Sequence, residues 1–524
     1  MQLPATPRRS SIDFPLLLIG IAPLAALYLA WGLCDTLTEL GGDSATYLLM
    51  ARHLSPFVPA DPLYAQAAAG SSYPPLFPLL IGLLGAGFTA AHALVAGSLI
   101  LAWLLFYRLL RARSLPVGMA AAAVALFALM PGTYLLALNI WSENTYLALS
   151  LLALLMLEHA QQQVPGPAAS RAWWAAAGAT AATVMTRTAG LPLLLTFTWL
   201  ALRRQPRRWL LMLLAAWLPL LAWTILSHPQ GGGGNQYITQ LTTLYAQDPI
   251  AHLRLQLQSE AHALVGAWLG AWLGVAAPIE LSQLAGGFGL IALAGWLHRL
   301  RQGSGGTVYL LLYLLMLLIW PWPGEAPRLL YVVTPLLIGH GLQAVRDLSA
   351  FLPPRERLLQ ITAVVVLALP LMASALATAQ RRLAPVPTGL EVLRHIEGYY
   401  SDSAQERHVA LAQAQLIADM RGLAARVPAG DCIFQIKPSV TTLLSGRRSL
   451  SPPLPATDDR IFAEQLRQCR YAYVMRLQSP TFPIPFYPME RLGAGYDVLW
   501  QLQDDATAGR EALAELIELS PQHP

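Results

Sequence analysis

Long apolar stretches recur along most of the chain, many of them able to cross about 30 Å of hydrocarbon, and short polar turns rich in arginine separate them. Eleven runs can be delimited, at about Pro15–Leu33, Ala91–Leu110, Pro116–Leu136, Asn144–His159, Ala172–Thr186, Leu191–Leu202, Trp209–Ser227, Leu284–Leu300, Val308–Trp320, Leu329–Val345 and Leu359–Ala377. A helix satisfies its own backbone hydrogen bonds, so each run is expected to be helical. After Gln380 the pattern changes. A polar stretch from about Gly389 to Val427 reads as helical, and short apolar strands follow at Cys432–Ile436, Tyr471–Met475 and Tyr496–Trp500. That alternation predicts a small α/β domain. The expected architecture is a polytopic α-helical membrane domain over 1–380 and a soluble α/β domain over 381–524.

Composition agrees with this division. Of 524 residues, 55% are hydrophobic and 12% charged, against roughly 25% charged in soluble domains. The first 380 residues hold 19 arginines and 13 acids, whereas the last 144 hold 15 basic and 16 acidic residues. The basic excess therefore lies in short loops between spans, where it sets orientation and gives no reason to expect a nucleic-acid partner.

Arg8 and Arg9 precede the first run, and no small-residue cleavage site follows it. An uncleaved span with a cytoplasmic N-terminus is expected. Threading from there puts all but four of those nineteen arginines on the cytoplasmic side, leaving Arg52, Arg187, Arg254 and Arg328 outside. Asp35, Glu39, Asp43, Asp61, Glu143, Asp248, Glu260, Glu280 and Glu325 fall on that same outer side. The expectation is a multi-pass protein of the cytoplasmic (inner) membrane with its C-terminal domain extracytoplasmic. The run 263–278 has two readings. Lying in the interface preserves the arginine rule, while crossing would bring the C-terminal domain into the cytoplasm. Arg381 and Arg382 follow the last span on the outer side, a mild violation of the rule.

The first outer loop, about 34–75, is the richest in candidate chemistry. Gly41-Gly42 precede Asp43-Ser44-Ala45-Thr46-Tyr47, which reads as a helix start with Asp43 as its N-cap. Alone, Asp43 would be only a cap. The same loop ends in Tyr73-Pro74-Pro75-Leu76-Phe77-Pro78, and later outer turns carry Ser142-Glu143, Thr186-Arg187 and Pro327-Arg328. Each has a plainer alternative: Arg328 snorkelling beside Glu325, Arg187 capping a turn, and Glu143 in a capping role. Tyr47 and Tyr73 suit the shaping of a cavity better than proton transfer, since phenols titrate near roughly 10. Arg52 lies about 13 Å further along the presumed helix and is expected at lipid headgroups.

This ordered set resembles the GT-C superfamily of integral-membrane glycosyltransferases, in particular the branch with protein O-mannosyltransferases and lipid A aminoarabinose transferases. The likeness covers roughly Asp35 to Val345. It rests on Asp43-Ser44-Ala45-Thr46-Tyr47, on the Tyr/Pro-rich loop end from Tyr73, and on Arg328 before an apolar span containing Pro335. It implies transfer of a sugar from a polyprenyl-phosphate donor to a lipid, glycan or protein acceptor outside the cytoplasmic membrane. Asp43 would be the general base, with Arg328 and then Arg187 stabilising the leaving phosphate. Glu143, Tyr47 and Tyr73 complete the expected substrate-binding set. Many relatives have two adjacent acids where this chain has Asp43-Ser44, so no metal is assigned, and no cofactor is required by the sequence.

A transporter or flippase for a lipid-linked glycan is the alternative. Charges gather at span ends and not at mid-membrane depth, which favours the enzyme. His228, His252, His262 and Glu260 lack helical pairing for zinc and read as loop residues, and Gly231–Gly234 reads as a linker. In the C-terminal domain, Cys432 and Cys469 each begin a strand and are either a disulfide or two buried thiols. Lys437 is the only lysine in the chain.

Overall fold

A computed structural model describes residues 13–520 apart from 70, 165, 205–207, 227–241, 243–244, 247, 270–278, 323–324, 402, 454–456, 478–488, 493–494 and 505–511. All eleven apolar runs fall on helices. These are Asp13–Gly32, Phe88–Ala112, Val117–Leu129 with Pro131–Leu138, Glu143–Gln162, Pro167–Thr186, Leu191–Arg204, Trp209–Leu226, Ile279–Leu300, Gly305–Leu318, Ala326–Leu330 with Thr334–Ser349, and Glu356–Arg381. Among the described residues four helices are long and apolar enough to cross a membrane, or five if one bent pair is a single span. The glycine linker 231–234 and His228 lie outside the described residues, as does most of the 263–278 run.

The bent pair departs from the single run expected over Pro116–Leu136. It turns by 56° at Met130. Pro131 has no N–H to continue the ladder, and Met130 is extended (ψ 133°), as a residue before proline prefers. The carbonyls freed there find side-chain donors: Thr133 Oγ1 donates to Phe127 O at 2.6 Å and Tyr28 Oη to Ala128 O at 2.5 Å.

The bundle core is aromatic and fully buried around Trp103, Phe106, Phe127, Tyr309, Tyr313 and Tyr331. The Trp209–Leu226 and Glu356–Arg381 helices instead leave most of their apolar side chains on the outside, the arrangement lipid rewards.

In the C-terminal domain β1 (Cys432–Phe434), β2 (Arg448–Leu450), β3 (Tyr471–Met475), β4 (Tyr496–Gln503) and β5 (Ala512–Leu519) form one sheet in the order β2-β1-β3-β5-β4. β1 runs parallel to β2 and β3, and β5 runs antiparallel to β3 and β4. The Ala404–Arg426 helix is capped by Ser403, whose hydroxyl accepts from the Glu406 N–H. One face of the sheet, with Ile433, Tyr473 and Met475, joins Leu416 and Met420 of that helix and Leu37, Leu40, Leu48 and Phe77 of the first loop in a single hydrophobic core. First loop and C-terminal domain are therefore on the same side of the bundle.

Arg382, which runs against the arginine rule, secures this junction. It pairs with Glu397 at 2.9 Å, donates to Tyr134 Oη, and lies over the rings of Trp31, Tyr134 and Tyr400. Its charge is compensated by protein and does not depend on the leaflet it faces. Cys432 and Cys469 are joined by a disulfide, with Cα atoms 4.7 Å apart at a sequence separation of 37. Closing a loop of that length stabilises by about 2–4 kcal/mol. Changing both cysteines to serine is expected to lower the denaturant midpoint for proteolytic opening of the C-terminal domain, and an unchanged midpoint would refute that contribution.

Candidate functional site

The site begins at the start of the Asp43–Leu54 helix. Its N-cap is Gly42, at φ 99°, and not Asp43 as the sequence reading expected. The left-handed turn at Gly42 lets the chain enter the helix at a sharp angle. The Glu39 carboxylate then accepts from the N–H groups of Gly41 and Ser44, so the capping work is done four residues upstream of Asp43. Burial, and then the negative charge of Asp43, push the Glu39 carboxyl above its usual range. The consequence is that the Asp43 side chain, the first of the helix, is free for other partners.

Four charged side chains from distant parts of the chain converge there. Arg328 Nη2 donates to Asp43 Oδ2 at 2.8 Å, and its Nε donates to Glu143 Oε1. Arg187 Nη1 donates to the same Glu143 oxygen at 2.7 Å and to Ser142 Oγ at 3.2 Å. Glu143 opens the Glu143–Gln162 helix, Arg187 ends the Pro167–Thr186 helix, and Arg328 sits in the short Ala326–Leu330 helix. Arg328 does not pair with Glu325, whose Oε2 accepts from Trp320 Nε1 at 3.1 Å. Its guanidinium instead lies 4.1 Å from the centre of the Trp141 ring.

Access differs sharply within the cluster. The Glu143 side chain is 1% exposed, against 26% for Asp43, so Asp43 is the carboxylate that an arriving molecule can reach. Both Asp43 oxygens are engaged, since Tyr73 Oη donates to Oδ1 at 2.6 Å. Glu143 Oε2 is buried and has no hydrogen-bond partner among the described residues. Tyr47 packs on Tyr73 and Phe77 with ring centres 4.9 Å apart in each case, and its hydroxyl meets Ser142 Oγ at 3.0 Å. Burial pushes the Tyr47 phenol up, so it stays protonated at neutral pH. Ser142, Trp141 and Glu39 are members the sequence reading did not select, although Ser142 adjoins Glu143 and Trp141 precedes Ser142.

Burial alone would raise the Asp43 carboxyl, but Arg328, the Tyr73 hydroxyl and Arg187 outweigh it and hold Asp43 below its ordinary range. A carboxylate depressed in the folded state contributes stability above its unfolded pKa of about 3.9, and that contribution is lost as pH falls through the folded value. Tyr73→Phe keeps the ring and removes the donor. It is expected to move the acid limb of the stability profile to higher pH and to cost about 1 kcal/mol of stability at neutral pH. A superimposable pH profile would remove Tyr73 from this role.

Other candidates lie elsewhere. Arg52 rests over the Tyr64 ring at 5.6 Å. His252, Glu260 and His262, read above as loop residues, lie on the Pro249–Leu269 helix, and the His252 ring meets the Trp320 carbonyl at 3.2 Å. Among the described residues no group of three His, Cys, Asp or Glu side chains gathers as a metal would need. Both Asp43 oxygens already accept, from Tyr73 and from Arg328, so a dication at Asp43 would have to displace one of these donors.

No protein-family model and no curated protein matches the sequence. Solved structures do match in fold. The apo structure of ArnT from Cupriavidus metallidurans superposes with a TM-score of 0.53 at 12% identity, covering 97% of this chain and 98% of that one. The same protein bound to undecaprenyl phosphate gives 0.53 at 13% identity, covering 98% and 100%. The shared architecture runs through the C-terminal domain, well beyond the Asp35–Val345 stretch that carries the sequence likeness. Over nearly its whole length, the chain has the fold of ArnT.

Proposed function

We propose that the protein is a membrane glycosyltransferase that moves a hexosyl or pentosyl group from a polyprenyl-phosphate carrier to an acceptor on the outer face of the cytoplasmic membrane. One observation carries the reading: Asp43, Glu143, Arg187 and Arg328 meet at one end of the bundle, within the fold of ArnT. ArnT, solved with undecaprenyl phosphate bound, lends support for a lipid-linked donor. The disulfide fits an oxidising compartment for the C-terminal domain.

In this reading the acceptor hydroxyl or amine attacks the anomeric carbon, and its proton passes to Asp43. The bond from that carbon to the phosphate oxygen breaks, and its electron pair leaves with the phosphate. Arg328 links the two events. While it holds Asp43, the carboxylate is a weak base; a phosphate drawing Arg328 toward itself loosens that pair and raises the proton affinity of Asp43 as the acceptor arrives. Glu143 keeps Arg328 aimed, and Arg187, paired with the same carboxylate, lends the leaving phosphate a second positive charge.

A flippase is the competing reading, and charges placed at helix ends favour the enzyme over it. Proteoliposomes loaded with radiolabelled polyprenyl-phosphate sugar separate the two. Label leaving the carrier for an acceptor supports transfer, and carrier crossing the bilayer with its sugar intact would overturn it.

A further inference from the structure

The four converging charges are balanced: two carboxylates are matched by two guanidiniums, and each guanidinium is already ion-paired. A bound phosphate would add negative charge to a neutral cluster. It therefore calls for a cation that is not yet committed.

The C-terminal domain brings one to the edge of the site. The Pro438–Ser445 helix packs on the Asp43–Leu54 helix, and Thr46 Oγ1 donates to Ser439 Oγ at 2.9 Å. Immediately before it, Lys437 lays its aliphatic stem across Gly42: a β-carbon built on Gly42 would lie 3.4 Å from Lys437 Cδ. Gly42 is the residue preceding Asp43. Among the described residues Lys437 has no carboxylate within ion-pairing distance, and it is the only lysine in 524 residues. Its mounting is rigid, because β1 and the first loop share one hydrophobic core, and Gln413 Nε2 and Arg421 Nη2 donate to Thr38 O and Thr36 Oγ1 of that loop.

We infer that Lys437 is a phosphate-binding residue of this site, supplied by the C-terminal domain, whose ammonium contacts the phosphate of the lipid-linked donor across Gly42. The inference rests on the transfer reading above and adds a part to it: the site is composite, and the C-terminal domain belongs to it. A flexible, strongly hydrated ammonium suits this place better than a third guanidinium, since it can follow the phosphate as its charge grows.

A single lysine makes the test direct. Reductive methylation of the full-length protein in detergent with [13C]formaldehyde labels only Lys437 and the N-terminal amine, and Lys437→Arg identifies the lysine signal. Titration with undecaprenyl phosphate is expected to shift that signal saturably, while undecaprenol and phosphatidylglycerol leave it in place. Lys437→Gln is expected to weaken retention of radiolabelled undecaprenyl phosphate by about ten-fold with an unchanged thermal midpoint, and Lys437→Arg to restore most of it. Saturable binding with the lysine signal unmoved, or equal retention by Lys437→Gln, would overturn this inference and leave the transfer reading standing. An equal shift with phosphatidylglycerol would also overturn it, by assigning Lys437 to bilayer headgroups. Failure of the wild type to retain undecaprenyl phosphate at all would overturn both readings.

Discussion

Asp43→Asn is expected to lower sugar transfer by about 10²–10⁴-fold while the protein remains folded. The side chain keeps its shape and can still accept from Arg328 Nη2, which now lies 2.8 Å from Oδ2. Tyr73 can turn its hydroxyl to accept from the new amide where it now donates at 2.6 Å. What disappears is the negative charge that attracts the acceptor proton. The fall should appear in kcat, with little change in the donor's apparent affinity, because the phosphate contacts assigned to Arg328, Arg187 and Lys437 are untouched. Transfer by Asp43→Asn at the wild-type rate would remove Asp43 from the mechanism.

Glu143→Gln has the opposite signature, with stability lost first. Glu143 is 1% exposed and its Oε1 receives both Arg187 and Arg328. Neutralising it leaves two guanidiniums side by side with Asp43 as their one remaining carboxylate in the cluster. Guanidiniums cannot shed a proton to relieve this. Breaking a buried ion pair from one side costs about 3–5 kcal/mol, a large fraction of a typical domain's stability. The variant is expected to show a clearly lowered thermal midpoint in detergent and more than 100-fold loss of transfer, with Asp43→Asn as the folded reference. A wild-type midpoint for Glu143→Gln would show that Glu143 does not hold the two arginines in solution.

The two variants separate chemistry from architecture within a single cluster. Asp43 is the open member and its partners survive its neutralisation, whereas Glu143 is the buried member on which two cations converge. Glu143 Oε2, without a partner among the described residues, adds a further contrast, because a buried carboxylate oxygen without a donor is costly and invites a hydroxyl from a bound sugar or a water.

Much of this was legible along the chain, for identifiable reasons. Apolar runs become helices because a lipid-facing backbone has no other way to satisfy its polar groups, and all eleven did. Arginine asymmetry assigns Asp43, Glu143, Arg187 and Arg328 to one side, and these four residues meet. The break at Met130 is signalled by Pro131 but masked by the uniformly apolar residues on either side.

Other features were hidden because they depend on contacts distant in sequence. Ala512–Leu519, rich in helix-favouring Ala, Leu and Glu, is an interior strand, since β3 and β4 offer it paired edges on both sides. Asp43 looked like an N-cap, and Glu39 took that task once the turn at Gly42 folded it back. Lys437 stands 395 residues after Gly42 and carries no local sign of a role. Periodicity and composition, which act over a few residues, settled the helices and the chemical types available. Which carboxylate faces which guanidinium, and which of them remains open to a substrate, arises only when a packed core brings four remote segments within hydrogen-bond distance, because ion pairing in a low-dielectric interior is a matter of ångströms that no linear spacing encodes.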